Sequence, residues 1–345
     1  MGKKFNIGVI GGGMWGTAHI ECLQKDGRAE VSWICTRTEQ SLRQIQVKYG
    51  IRNGTLRYQD LLYDDGLDAV VIAAPPHTHC EMAVASMRAG KHVLLEKPLA
   101  VTRSEMKKIV REAEKHPDLT VLEGSCRHAR LQPKFAFIKK FIESGKLGEI
   151  YHIHHNHLYQ TTYIEYNPKA AWALDKKQAG GGPFFDWGEY DLSFHLGILG
   201  DEPRLKTVKS FCRNDLRDMK AKVPKADVEQ HGAAYLRFDT GLTYYYERGA
   251  GAHNESACET RIYGTKGGLR FFYPAWDSKE VEYFYADLNA PHKETLTVDM
   301  SAHPNDDNIP FVAHFLDCLE GRAKPMMPVN LASKHLDIIM RILGE

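Results

Sequence analysis

The stretch Phe5-Asn6-Ile7-Gly8-Val9-Ile10-Gly11-Gly12-Gly13-Met14-Trp15-Gly16 decides how this chain folds. Its first half is a short apolar run rich in branched residues, the pattern of a buried parallel strand. Gly11, Gly13 and Gly16 then complete G-x-G-x-x-G, and Met14 to Leu23 continues as a helix. The first glycine allows a sharp turn, the second lets backbone approach a pyrophosphate, and the third lets helix and strand pack closely. Open amides and the dipole at the helix start favour the phosphates of a dinucleotide. Gly11, Gly13, Met14, Trp15 and Gly16 are therefore cofactor-binding candidates.

Outward from that loop, strand and helix alternate. Val31 to Cys35 is a second strand. Leu67 to Ala74 is a strand ending in Ala74-Pro75-Pro76-His77-Thr78-His79. Glu81 to Ala89 is a helix closed by Gly90, and His92 to Leu95 is a strand leading into Glu96-Lys97-Pro98. Thr102 to Lys115 is helical with Glu105 placed for a capping box, and Thr120 to Glu123 is a further strand. This order gives an α/β fold, a doubly wound parallel sheet of Rossmann type with ligands at the carboxyl ends of its strands. Ala74, Pro75, His79, Glu96 and Lys97 all fall at such ends.

The second strand ends in Thr36-Arg37-Thr38. Many NAD-binding chains carry an acid there, about 20 residues beyond the loop, for the ribose hydroxyls. No carboxylate occupies the position here. A hydroxyl and a guanidinium suit the 2′-phosphate of NADP, with NAD left possible, since Arg37 can also stack on adenine in either cofactor.

Beyond the sheet, Ser144-Gly145-Lys146-Leu147-Gly148-Glu149-Ile150 and Gly180-Gly181-Gly182-Pro183-Phe184-Phe185-Asp186-Trp187-Gly188-Glu189-Tyr190 follow in order. Together with the loop at 11–16, the segment 74–79 and Ala89 to Ala100, they make the chain resemble the glucose–fructose oxidoreductase / inositol dehydrogenase / rhizopine catabolism (Gfo/Idh/MocA) family along nearly its whole length. The resemblance implies that Lys97 is the catalytic lysine beside the nicotinamide, that Glu96 lies close to the cofactor and that the Lys97-Pro98 bond is cis. It further implies catalytic roles for Asp186 and for Tyr190, which stands where the family commonly has histidine. Ser193 stands where it commonly has a last aspartate, which departs from the inositol dehydrogenase pattern.

The chemistry also follows from the residue types. Hydride transfer at a carbon bearing oxygen requires a proton to move at that oxygen. A lysine can polarise it, and a tyrosine with an ammonium nearby can exchange the proton. Lys97 and Tyr190 offer both, which indicates an oxidoreductase acting on the hydroxyl or carbonyl carbon of a sugar or polyol. Relatives that oxidise and re-reduce a bound glycoside leave a redox-neutral NAD-dependent glycosidase or lyase as the alternative. A regulator without turnover is disfavoured by the intact Glu96-Lys97-Pro98.

After Pro133 to Ser144, an amphipathic helix, the pattern changes to alternating runs at 149–159, 207–212, 232–238, 242–247, 258–263, 269–273 and 281–285. These predict hairpins of one large, mostly antiparallel open sheet in an α+β domain. The expected boundaries are 1–125 for the dinucleotide domain and 126–345 for the substrate-binding and oligomerisation domain. Arg213 to Asp227 is the expected mobile segment. His152, His154, His155 and His157 alternate along one strand, two to each face. Neither pair has an evident third ligand, so no metal is expected. His155 and His157 are instead substrate-site candidates, with Tyr163 and Trp172 as sugar platforms or ordinary packing.

Composition narrows the rest. The 345 residues carry a net charge of +1 with 26% charged residues, which leaves no basic face for nucleic acid. Seven scattered cysteines without C-x-x-C suit a reducing, cytoplasmic setting. Met1 to Asn6 lacks a signal-peptide core, and no run approaches the ~20 apolar residues of a membrane span. Leu242-Thr243-Tyr244-Tyr245-Tyr246 is aromatic at successive positions, so both sheet faces need cover. A homodimer or homotetramer is expected.

Overall fold

A computed structural model describes residues 4–168, 170–274, 279–301 and 303–345. The chain divides into two compact units, residues 1–127 with 306–334, and residues 128–305 with 335–345. The first division lies two residues beyond the boundary expected from sequence. The segment 306–334, which sequence places in the second domain, returns to the first unit.

In the first unit, β1 (Phe5–Ile10), α1 (Met14–Asp26), β2 (Ala29–Cys35), α2 (Glu39–Tyr49), β3 (Asn53–Thr55), α3 (Tyr58–Leu62), β4 (Ala69–Ile72), α4 (His79–Arg88), β5 (His92–Leu95), α5 (Arg103–Lys115) and β6 (Val121–Glu123) follow in turn. The strands form one parallel sheet in the order β3-β2-β1-β4-β5-β6. The order reverses at β1, the switch point where ligands bind in such sheets. Val70, Val71, Val93 and Leu94 are fully buried, as strands covered on both faces require. The Thr102 hydroxyl accepts from the Glu105 amide and caps α5. The Glu105 carboxylate meets that hydroxyl rather than the Thr102 amide, so only half of the capping box forms.

The second unit holds α6 (Pro133–Glu143), β7 (Ile150–Tyr159), α7 (Tyr163–Tyr166), α8 (Lys176–Ala179), α9 (Pro183–Gly197), β8 (Leu205–Arg213), β9 (His231–Phe238), β10 (Thr243–Ala250), β11 (Ala257–Gly264), β12 (Gly267–Phe271), β13 (Glu280–Ala286) and β14 (Pro291–Thr297). Its eight strands order as β14-β13-β12-β11-β7-β10-β9-β8. All neighbours are antiparallel except β7 and β10, which pair in parallel with Tyr246 beside His155 and Arg248 beside His157. Phe135 and Ile138 of α6 and Phe194 of α9 pack on Ile262, Leu269, Phe271 and Val281 of the inner sheet face. The segment 213–227 is anchored: Met219 and Ala226 are buried against Ile164 and Leu174, and the Arg217 amide donates to Gln230.

Helices α10 (Asn308–Leu319) and α11 (Val329–Ile342) complete the chain. Among the described residues, no helix is long and apolar enough to cross a membrane.

Candidate active site

The first unit carries the glycine loop. A Cβ on Gly11 would lie 2.3 Å from the Ala73 carbonyl oxygen, and one on Gly16 would lie 1.8 Å from that of Gly11. Both positions therefore exclude every side chain. At Gly13 a Cβ would meet nothing within 4 Å, so the backbone is open on that side. Gly13 caps α1 without a side-chain bond, and no acidic residue stands in the first turn. Met14 is exposed. This amide-lined, acid-free helix start fits a pyrophosphate.

Glu96 ends the neighbouring segment as a buried carboxylate. It accepts from His19 Nε2 at 2.7 Å, from both terminal nitrogens of Arg127 and, at 3.3 Å, from the Lys97 amide. Burial alone pushes its pKa up. The Arg127 guanidinium and His19 overcome this and hold it well below the usual carboxylate range. Arg127 is itself fully buried, and its guanidinium lies 4.2 Å from the centre of the Trp15 ring. The phosphate loop and Glu96 thus share one partner. The Lys97-Pro98 peptide is cis, and Lys97 is half-buried at the carboxyl end of β5.

His79, a cofactor candidate by sequence, is fully buried, with Nδ1 2.7 Å from the Pro98 carbonyl oxygen and Nε2 2.9 Å from that of Ala74. Both ring nitrogens are engaged by backbone. The side chain ties the loop after β4, at Ala74, to the loop after β5, at Pro98. At the end of β2, Thr36 is buried and its hydroxyl donates to the Thr38 carbonyl, while Arg37 is exposed.

The second unit carries candidate residues of its own on α9. Gly182 precedes Pro183 at the first helical position, and a Cβ on Gly182 would lie 2.0 Å from the Glu229 carbonyl oxygen. The Glu229 carboxyl accepts from the Gly182 amide at 2.7 Å and the Phe184 amide at 3.1 Å, which caps the helix. Burial raises its pKa to about 7 against those two bonds. Asp186 and Tyr190 stand four residues apart on one helical face. Asp186 is half-buried and Tyr190 buried, with the Tyr190 ring edge-on to His128 at 4.8 Å. Tyr163 is close enough to Asp186 that the carboxylate adds to burial in raising the phenol pKa. Trp172 is partly exposed on a short 3₁₀ turn, Ala171–Leu174.

The histidines of β7 divide between the faces as alternation requires. His152 meets the Thr243 hydroxyl at 2.8 Å, and His154 lies beside Tyr245. His155 and His157 point inward and are buried. His155 Nδ1 meets the Thr260 hydroxyl at 2.9 Å, and Nε2 lies 3.5 Å from Asp191 Oδ1, so this ring belongs to an interior network. At its centre Asp191 accepts from the Tyr246 hydroxyl at 2.6 Å, from Arg248 through Nε and a terminal nitrogen at 2.6 and 2.7 Å, and from the Tyr273 hydroxyl. Burial works against the Asp191 charge, and the Arg248 guanidinium keeps the carboxyl ionised. His157, by contrast, has no hydrogen-bond partner on either ring nitrogen. It packs among Tyr159, Trp187 and Phe272, and burial with the nearby Arg248 charge lowers its pKa to about 2.

Three residues of consequence escape the sequence reading. Arg127 and Asp191 carry no local motif. Glu123 did leave a signal, a carboxylate closing the buried run Thr120-Val121-Leu122 at the ligand-bearing edge of the sheet.

Comparison with known proteins agrees with this architecture. Residues 5–123 match the oxidoreductase family model described as an NAD-binding Rossmann fold, and residues 135–270 match the GFO/IDH/MocA C-terminal domain. The chain is similar to levoglucosan dehydrogenase of Pseudarthrobacter phenanthrenivorans, 26% identical over 89% of this chain and 83% of that protein. It is also similar to myo-inositol 2-dehydrogenase of Thermotoga maritima, 27% identical over 76% and 74% of the two chains. A solved levoglucosan dehydrogenase in complex with NADH superposes with a TM-score of 0.85 at 22% identity, covering 99% of this chain and 96% of that one. An aldose-aldose oxidoreductase from Caulobacter crescentus superposes with a TM-score of 0.80 at 21% identity, over 99% and 97%. With both of its domains matched, the chain is an enzyme of the Gfo/Idh/MocA family of NAD-binding oxidoreductases.

Proposed function

We propose that the protein oxidises a hydroxyl-bearing carbon of a sugar or polyol, or reduces the corresponding carbonyl. The observation that carries this reading is Lys97 at the carboxyl end of β5, attached to a Glu96 that four contacts hold rigid. A nicotinamide cofactor supplies the hydride acceptor or donor when bound. The chain's own groups handle the oxygen. As hydride leaves the carbon, the hydroxyl proton must also leave, and Lys97 and Tyr190 are the groups we assign to receive it. Asp186, one turn before Tyr190, orients that phenol. In the reverse direction the same groups return the proton to the developing alkoxide.

Substrate contacts are assigned to His157, Tyr163 and Trp172. The neutral His157 ring, with both nitrogens unengaged, can accept one hydroxyl and donate to another. The names of the relatives favour polyols and anhydrosugars, the classes of myo-inositol and levoglucosan.

For the cofactor we favour NADP. Arg37 is exposed at the end of β2, where no carboxylate is present to meet a ribose hydroxyl. Thr36 faces the glycine loop, since a Cβ on Gly12 would lie 2.9 Å from its methyl group. A homo-oligomer is assigned to the outer face of the large sheet, where Tyr235 and Phe284 are 44% and 37% exposed. Light scattering should give a mass well above 39.1 kDa, and a monomer would remove that assignment.

Incubating the purified protein with NADP⁺ or NAD⁺ and a panel of polyols, aldoses and anhydrosugars tests the activity. Growth of reduced-nicotinamide absorbance with at least one member is expected. No response to any hydroxyl compound in either direction would contradict it.

A further inference from the structure

Between α9 and the large sheet, one line of side-chain contacts crosses the core of the second unit. The Tyr244 hydroxyl of β10 meets Nδ1 of His195 at 2.8 Å, and Nε2 of His195 meets the Thr260 hydroxyl of β11 at 3.0 Å. The same hydroxyl meets Nδ1 of His155 on β7 at 2.9 Å. Nε2 of His155 makes no full hydrogen bond, but it faces Oδ1 of Asp191 at 3.5 Å. All five residues are fully buried. Asp191 and His195 stand four residues apart on α9, so one helical face carries both ends of the link to the sheet.

Such a line can order its protons in only a few ways. Burial and the Arg248 guanidinium keep His155 neutral against the pull of Asp191 and the Glu259 carbonyl, and burial keeps His195 neutral too. Each ring therefore has one N–H and one bare nitrogen. Asp191 is ionised and can only accept, so the His155 proton belongs on Nε2, where a bare lone pair would be repelled. Nδ1 of His155 then accepts from Thr260, the Thr260 oxygen accepts from Nε2–H of His195, and Nδ1 of His195 accepts from Tyr244. The far end agrees. Among the described residues the Tyr244 hydroxyl has only His195 as a hydrogen-bond partner, so its proton must point there. A charged His155 would reverse every bond and strand that proton in the core.

We propose that Asp191 and His195 are positioning residues for Tyr190: the carboxylate imposes a one-way hydrogen-bond chain, Tyr244 to His195 to Thr260 to His155 to Asp191, that fixes α9 and its phenol on the sheet. Tyr190 directly precedes Asp191 on the helix, and its ring lies 5.4 Å from that of Trp187 and 4.8 Å from that of His128. The consequence for turnover rests on the assignment of Tyr190 to the substrate oxygen, whereas the proton order does not.

Two measurements need no substrate. Nitrogen NMR spectra of the imidazoles in the whole protein at neutral pH should show His155 and His195 both neutral, with the proton on Nε2 and Nδ1 bare. A proton on Nδ1 of either ring, as the other tautomer or as an imidazolium, overturns the proposal. Thr260→Val removes the hydroxyl at the centre of the chain and keeps the branched shape. The Tyr190 ring resonances, set by the Trp187 and His128 rings beside it, should shift in Thr260→Val and return in Thr260→Ser. Unmoved resonances overturn the positioning role. If Thr260→Val does not fold, Tyr244→Phe serves: both tautomers should persist because Asp191 still sets them, and a change in either contradicts the stated direction. With any substrate the panel yields, Thr260→Val should lower kcat by about 10- to 100-fold and leave KM within about twofold, and Thr260→Ser should recover most of the loss. An unchanged kcat would overturn the positioning role. A panel without turnover would contradict the proposed activity and leave the spectra to decide this proposal.

Discussion

The guanidinium of Arg127 lies 4.2 Å from the centre of the Trp15 ring while its nitrogens hold the carboxylate of Glu96. A residue of the phosphate loop and a residue of the Glu-Lys-Pro loop are thereby fixed through one buried cation. Removing it leaves Glu96 as a buried charge with His19 as its remaining side-chain partner. Arg127→Met should therefore lower stability by about 3–5 kcal/mol, measured by urea denaturation. A loss below 1 kcal/mol would show that the pair is not the clamp described.

The same carboxylate makes stability depend on acid. Its folded pKa lies below the ordinary 4.5, so its contribution is complete above that value and is lost as pH falls through the folded one. Wild-type stability should decline as pH is lowered from 5. Glu96→Gln, though less stable at neutrality, should show a shallower decline in the same denaturation series.

Lys97→Ala should lower kcat by about 10²–10⁴-fold with little change in cofactor affinity. Steady-state kinetics with fluorescence titration of the reduced cofactor separates the two effects. A near-normal kcat would remove Lys97 from the chemistry.

Thr36→Asp with Arg37→Ala should shift preference from NADP toward NAD, by replacing a phosphate partner with a ribose acceptor. The ratio of kcat/KM for the two cofactors is the readout. An unchanged ratio would assign 2′-phosphate discrimination elsewhere.

In the second unit, Asp191→Asn should destabilise by about 3–5 kcal/mol, because Arg248 remains buried without a counter-charge. Tyr246→Phe removes one of four donors to the same carboxylate and should cost about 1.5–3 kcal/mol. Thermal denaturation of both variants gives the order, and equal losses would contradict the network as drawn.

The parallel sheet was legible because its strands are continuous apolar runs separated by glycine and proline signals. β3 escaped notice because three residues, Asn53-Gly54-Thr55, carry no pattern. β14 was missed because Pro291 to Thr297 is an edge strand with polar residues on both faces. The parallel pairing of β7 with β10 could not be foreseen, since alternation specifies faces and not partners. It did place His155 and His157 together on one face, which the structure shows to be the inner one. It could not show that Asp191 of α9 meets Tyr246, Arg248 and Tyr273, donors 55 to 82 residues away in sequence. His79 stands at a strand end in the sequence, and in the structure its ring is turned onto the carbonyls of Pro98 and Ala74, contacts that no local pattern specifies.

The most direct test of hydride transfer uses a polyol or sugar substrate from the panel, deuterated at its carbinol carbons. Mass spectrometry of the released reduced cofactor should find one deuterium per oxidised substrate, with the ketone accumulating in equal amount. Deuterium retained in or returned to the sugar, with cleavage of a glycoside and no net reduced cofactor, would contradict the account and identify a redox-neutral reaction.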